Sequence, residues 1–151
     1  MKSLHYLFII LMMFLTTNCS HAQSNKTLVD EVVVLNKADF LVKVFNYEQQ
    51  AEEWLYEGDK PCIIDLYADW CGPCKIIEPF MKELAAQYKD EVVFYRIDID
   101  KENELAAVVG AYSIPMLLFV PMEGQPRVAV GAMPKETIEK YLKIILLGME
   151  L

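Results

Sequence analysis

Residues 62–67 read Cys-Ile-Ile-Asp-Leu-Tyr, and Ala68-Asp69 lead from them straight into Trp70-Cys71-Gly72-Pro73-Cys74-Lys75. The first stretch is apolar without alternation, the pattern of a central strand covered on both faces. After the cysteines, Ile77, Phe80, Met81, Leu84 and Tyr88 recur at the spacing of one helical face. A buried strand handed to a helix within a few residues argues for a sheet with helices packed on it. Pro79 falls inside that helix and is expected to kink it.

The rest of the chain fits the same plan. Val32 to Leu35 is a β-branched run, a first strand, and Asn36 is placed to cap a following helix. The face Phe40, Val44, Tyr47, Ala51 and Trp54 predicts that this helix is long, an extended helical segment ended by Gly58-Asp59-Lys60-Pro61. Its aromatics are expected to pack on the domain; a partner-docking surface is the other reading. Val92 to Ile99 reads as a third strand, with Asp100 capping a short helix through Val109 that Gly110 ends. Met116 to Val120 and Val128 to Val130 are two further strands with Gly124 in their turn. Pro134 suits the first position of a last helix carrying Ile138, Leu142 and Ile145, closed by Gly148. The expected architecture is α/β: one domain, residues 31–151, with a five-stranded mixed sheet flanked by helices.

The N-terminus reads as an address. Lys2 precedes an apolar run from Leu4 to Leu15 that is too short to span a membrane. Two ends fit. Ser20-His21-Ala22 sets small residues before a cut ahead of Gln23, giving a soluble exported protein with residues 1–22 as signal and 23–30 as linker. Alternatively, Cys19 is the lipidated first residue after a signal of residues 1–18, although Asn18 stands where a small residue is usual. Both readings place the domain outside the cytoplasm, in a periplasmic compartment. Both histidines, His5 and His21, lie ahead of the soluble cut, so that form has no histidine for Cys-His or Ser-His catalysis or for metal binding. With 22 Asp+Glu against 14 Lys+Arg the chain is acidic, which argues against nucleic acid as a partner.

The chemistry-bearing group is Cys71-Gly72-Pro73-Cys74. At a strand-to-helix junction Cys71 meets the unpaired N–H groups and the positive end of the helix dipole, which favour a thiolate. Cys74 lies one turn in. The asymmetry assigns attack to Cys71 and resolution to Cys74. Zinc is disfavoured because no second Cys pair or His completes four ligands. A purely structural disulfide closing so small a loop would stabilise little.

The run Asp65 to Lys75, with Ser113-Ile114-Pro115 and the glycines Gly124 and Gly131, resembles the thioredoxin family over roughly Val32 to Leu147. With the export signal, it is similar to the periplasmic thioredoxins. The resemblance implies a thioredoxin fold and a thiol–disulfide oxidoreductase that reduces disulfides of exported proteins as a monomer. Neither metal nor organic cofactor is implied; electrons would come from a membrane thiol reductase. Asp65 would be the buried carboxylate that exchanges a proton with Cys74, and Pro115 would follow a cis peptide bond. Trp70, Gly72, Pro73, Ile114, Pro115, Gly131 and Ala132 would form the substrate surface. Lys75 itself reads as a solvated helix residue, with a modest influence on the Cys71 thiolate as the other reading.

Three positions depart from the family pattern. Arg96 stands where relatives often have a lysine that pairs with the buried Asp; it either holds Asp65 more firmly ionised or points outward. Met116 stands where Thr is common. Cys62 is an extra thiol, expected to be a small buried apolar residue. The Gly-Pro between the cysteines resembles reducing members, against the alternatives of an oxidase or isomerase and of an apocytochrome c reductant. A thioredoxin-like client-binding or chaperone module is the alternative from a different class.

Overall fold

The computed structural model describes residues 32–50 and 52–150. The expected signal and linker, and both readings of Cys19, lie outside them. Five strands form one sheet: β1 (Val32–Val34), β2 (Cys62–Tyr67), β3 (Val93–Asp98), β4 (Met116–Val120) and β5 (Arg127–Val130), in the order β1-β3-β2-β4-β5. β2 runs parallel to β3 and antiparallel to β4, so the sheet is mixed and β2 is its centre. Among the described residues four α-helices accompany it: α1 (Lys37–Lys43), α2 (Gly72–Tyr88), α3 (Asn103–Val108) and α4 (Lys135–Tyr141).

Strand alternation divides the core into two layers. Ile63, Phe94, Leu117 and Phe119 face α2 and α4, where Ile77, Met81, Leu84 and Ile138 meet them. Cys62, Ile64, Leu66, Ile97 and Leu118 face the other way, onto Phe40 of α1 and Leu105 of α3. Asp65 shares β2 with Ile63 at a separation of two residues, which turns it towards the α2 layer. Cys62 is buried in the opposite layer and unpaired, the small apolar filler its sequence position implied. No helix of the described residues is long and apolar enough to cross a membrane.

The extended N-terminal helix is not formed. Asn36 caps α1 as expected, its Oδ1 accepting the Asp39 N–H at 2.8 Å, but α1 ends at Lys43. The chain continues in turns and bends, and the Glu57 N–H returns to the Val44 carbonyl at 2.9 Å. The apolar spacing arises because this excursion folds over the domain: Tyr47 and Trp54 pack on Phe45, with Phe45 and Trp54 ring centroids 4.4 Å apart. Ala51, of the same expected face, lies outside the described residues.

Asp100 does not cap α3 either. Glu102 holds the cap position without a side-chain bond. Asp98 instead accepts the Asp100 N–H at 3.1 Å, and the Asp100 carboxylate is not used as a cap. Pro134 sits one residue earlier than expected, at the cap rather than inside the last helix. Past Tyr141 that helix widens to a five-residue hydrogen-bond spacing, from Leu147 N–H to the Leu142 carbonyl. α2 is continuous across Pro79.

Candidate active site

The end of β2 delivers the chain to the N-terminus of α2 through Ala68 to Trp70, and Cys71 becomes the N-cap. Its Sγ accepts the Cys74 N–H at 3.1 Å, one of the donors that a helix N-terminus leaves unpaired. Pro73 falls in the first turn, where its missing N–H costs nothing. Cys71 and Cys74 are joined as a disulfide, with Cα atoms 5.3 Å apart. Both sulfurs are nearly covered by Ala68 and by the partly buried Tyr67, Ile99 and Ile114.

The loop before β4 closes the site from the other side. The Ile114–Pro115 peptide is cis, as the family resemblance implied. Gly131, at φ +93°, donates its N–H to the Pro115 carbonyl at 2.8 Å, so the loop after β5 is tied to the loop before β4. Gly72 and Gly131 leave open space where a side chain would project. Trp70 is 69% exposed beside the disulfide, and its Nε1–H donates to Asp100 Oδ2 at 2.8 Å. The Asp100 carboxylate therefore orients the indole. No pattern along the chain signals Asp100 in this role, because the contact joins two loops thirty residues apart.

Behind the disulfide lies Asp65, 1% exposed, in register with Arg96 of β3 and Leu117 of β4. Burial pushes its carboxyl up to about 6; the Arg96 charge opposes that and Glu78 adds to it. Arg96 neither points outward nor grips the carboxylate. Its Nη2 stands 3.8 Å from Asp65 Oδ2, beyond hydrogen-bond distance. Its Nη1 is 3.4 Å from Glu78 Oε1, and its guanidinium carbon lies 3.6 Å over the Tyr67 ring centroid. Glu78, which sequence reasoning missed, is one turn beyond Cys74 on α2. That i, i+4 spacing was the signal available. Lys75 lines the pocket at Cys74 together with Arg96 and Glu78.

A disulfide capping a helix at the exit of a central strand, a buried carboxylate behind it and a cis-proline loop beside it define a dithiol–disulfide exchange protein. The Thioredoxin family model matches residues 31–144. Thioredoxin of Borreliella burgdorferi is 41% identical over 111 residues, 74% of this chain and 94% of that protein. Thioredoxin of Haemophilus influenzae is 32% identical over 114 residues, 76% of this chain and 96% of its own length. A chloroplastic M-type thioredoxin of Spinacia oleracea is 37% identical over 95 residues, 60% of this chain and 52% of that one. The chain belongs to the thioredoxin family, and it is a disulfide oxidoreductase working by dithiol–disulfide exchange.

Proposed function

We propose that this chain is the reductant of disulfides in exported proteins. The observation that carries the reading is Cys71 at the N-cap of α2, its sulfur aligned with the unpaired N–H groups that favour a thiolate. In the reduced protein the Cys71 thiolate attacks a substrate disulfide, one substrate sulfur leaves with the electron pair, and a mixed disulfide forms. Cys74 then passes its proton towards Asp65 and attacks Cys71 Sγ. The Cys71–substrate bond breaks, and the second substrate sulfur leaves and is protonated from water. Two electrons have moved to the substrate, and Cys71–Cys74 is oxidised. Trp70, Ile114, Pro115, Gly131 and the adjacent Ala132 supply the apolar rim on which a substrate segment lies, with backbone at Ile114 available for strand-like pairing. A membrane thiol reductase returns the electrons, because the cytosolic reductant pool does not reach this compartment.

Two measurements test the reading. The reduction potential of the Cys71–Cys74 pair, with Cys62→Ser to remove the third thiol, is expected at about −270 mV, as for a reducing thioredoxin. A value of about −180 mV, as for a disulfide isomerase, would make the chain an oxidant or isomerase. In cells, Cys74→Ser is expected to accumulate mixed disulfides with exported proteins in the extracytoplasmic fraction. Partners confined to the cytosol would overturn the assignment of compartment and substrate.

A further inference from the structure

Two cavities flank the Arg96–Glu78 pair. One, of about 170 Å³, is bounded by Cys74, Lys75, Ala68 and Asp69. The other, of about 10 Å³ and so the size of one water, is bounded by Asp65, Val32, Met81 and Lys82. Arg96 and Glu78 line both. The pair is the common wall between the resolving cysteine and the carboxylate.

A guanidinium free to choose would take a lone buried carboxylate with two parallel N–H bonds. Arg96 does not, although Asp65 Oδ1 and Arg96 Nε both lack a hydrogen-bond partner in the protein. Two contacts hold it back: the Tyr67 ring beneath it and the Glu78 carboxylate at its far end. Glu78 is itself fixed by Lys82 Nζ at 2.8 Å. We propose that Glu78 is a positioning residue for the resolving step, holding Arg96 across the passage between Cys74 and Asp65 so that the guanidinium does not close on the Asp65 carboxylate. The inference rests on Asp65 as proton acceptor.

The charged and titratable groups facing Arg96 come from two elements and one loop. β2 brings Asp65 and Tyr67, and the loop after it Asp69. α2 brings Cys74, Lys75, Glu78 and Lys82. β1 contributes only Val32. The Glu78 carboxyl is held below its usual range, first by the hydrogen bond from Lys82 and, with its own desolvation opposing, by Arg96, so it is ionised where Asp65 titrates. Removing its charge frees Arg96 for Asp65.

The test is the titration of the Asp65 side-chain carbon by NMR in the reduced protein, in wild type, Glu78→Gln and Glu78→Ala. Both variants alter a partly exposed side chain, and far-UV circular dichroism verifies their fold. The midpoint is expected to fall by about one pH unit, tenfold in proton affinity. The acid limb of single-turnover mixed-disulfide resolution should fall with it. The same Glu78→Gln change in an Arg96→Met background should move the midpoint much less. An unmoved midpoint in both Glu78 variants would overturn the proposal. So would an equal fall without Arg96, because Glu78 would then act by its own charge. Asp65→Asn separates the underlying reading. If that variant resolves at the wild-type rate and pH profile, Asp65 is not the acceptor, and a Glu78-dependent midpoint then supports only the positioning of Arg96.

Discussion

Cys71→Ser is expected to lower the reduction of insulin disulfides by dithiothreitol-driven turnover to background, on the order of a thousandfold or more. The reason is chemical. A serine hydroxyl at this position is not ionised at neutral pH and forms no stable bond to a disulfide sulfur, so both the thiolate and the mixed-disulfide intermediate are lost. The structure supplies an internal control on folding. Cys71 is the N-cap of α2, where its Sγ accepts the Cys74 N–H, and serine is among the best residues for that position. The variant keeps the cap and loses the nucleophile. Its cost in stability is confined to the missing disulfide, which closes a loop too small to constrain the unfolded chain much. Folded protein with no turnover is therefore the expected result. A folded Cys71→Ser that retained even a tenth of wild-type activity would place the reacting centre elsewhere.

The centre of this mechanism was legible in the sequence because its parts are local. A cysteine pair at the junction between an apolar run and a helical face was read as lying at a helix N-terminus, and the structure places Cys71 at the N-cap of α2, bonded to Cys74. The strands were legible for the same reason: β-branched and aromatic runs of four to eight residues leave few alternatives. The failures lie where an alternative local reading was equally good. Val44, Tyr47 and Trp54 keep helical spacing, yet the chain leaves α1 at Lys43 and folds its aromatics back on Phe45. Spacing alone does not distinguish a helix face from a loop whose large side chains meet one patch of core. Asp100 was as good a cap by composition as any residue in its turn; Trp70 decided its role from across the site. Arg96 was the hardest. Its position beside Asp65 follows from the register of β2 and β3, and its withdrawal from Asp65 follows from α2 packing Glu78 onto the sheet. Both are contacts between elements, and neither leaves a pattern along the chain.

Asp65→Asn is expected to make the protein more stable and less active at once. The carboxyl is raised from its ordinary value of 3.8 to about 6, chiefly by burial. A raised acid binds its proton more tightly in the folded state than in the unfolded one. Folding is therefore helped while both states are protonated, below the ordinary value, and the help is lost as pH rises through about 6. At roughly 1.4 kcal/mol per pH unit, the burial of the charge costs the wild type about 3 kcal/mol at pH 8 relative to pH 3. Asparagine has nearly the same shape and no charge to desolvate, and Arg96 retains Glu78 and Tyr67 when the carboxylate is gone. Urea denaturation should show the variant more stable than wild type by up to about 3 kcal/mol at pH 8. The advantage should shrink steadily below pH 6 and be absent near pH 3, with the slope of the transition unchanged. Taking the difference between variant and wild type cancels the other carboxylates, which titrate in both. At pH 8, where Asp65 is ionised and can accept a proton, Asp65→Asn should reduce multi-turnover disulfide reduction by about a hundredfold, the low end of what a positioned proton acceptor supplies, and the loss should fade below about pH 6. A difference in stability that did not vary with pH would mean that Arg96 compensates the buried charge in full. The 3.8 Å between Arg96 and the carboxylate argues otherwise, because an ion pair that recovers the desolvation of its partners must close to hydrogen-bond distance, and this one is held open.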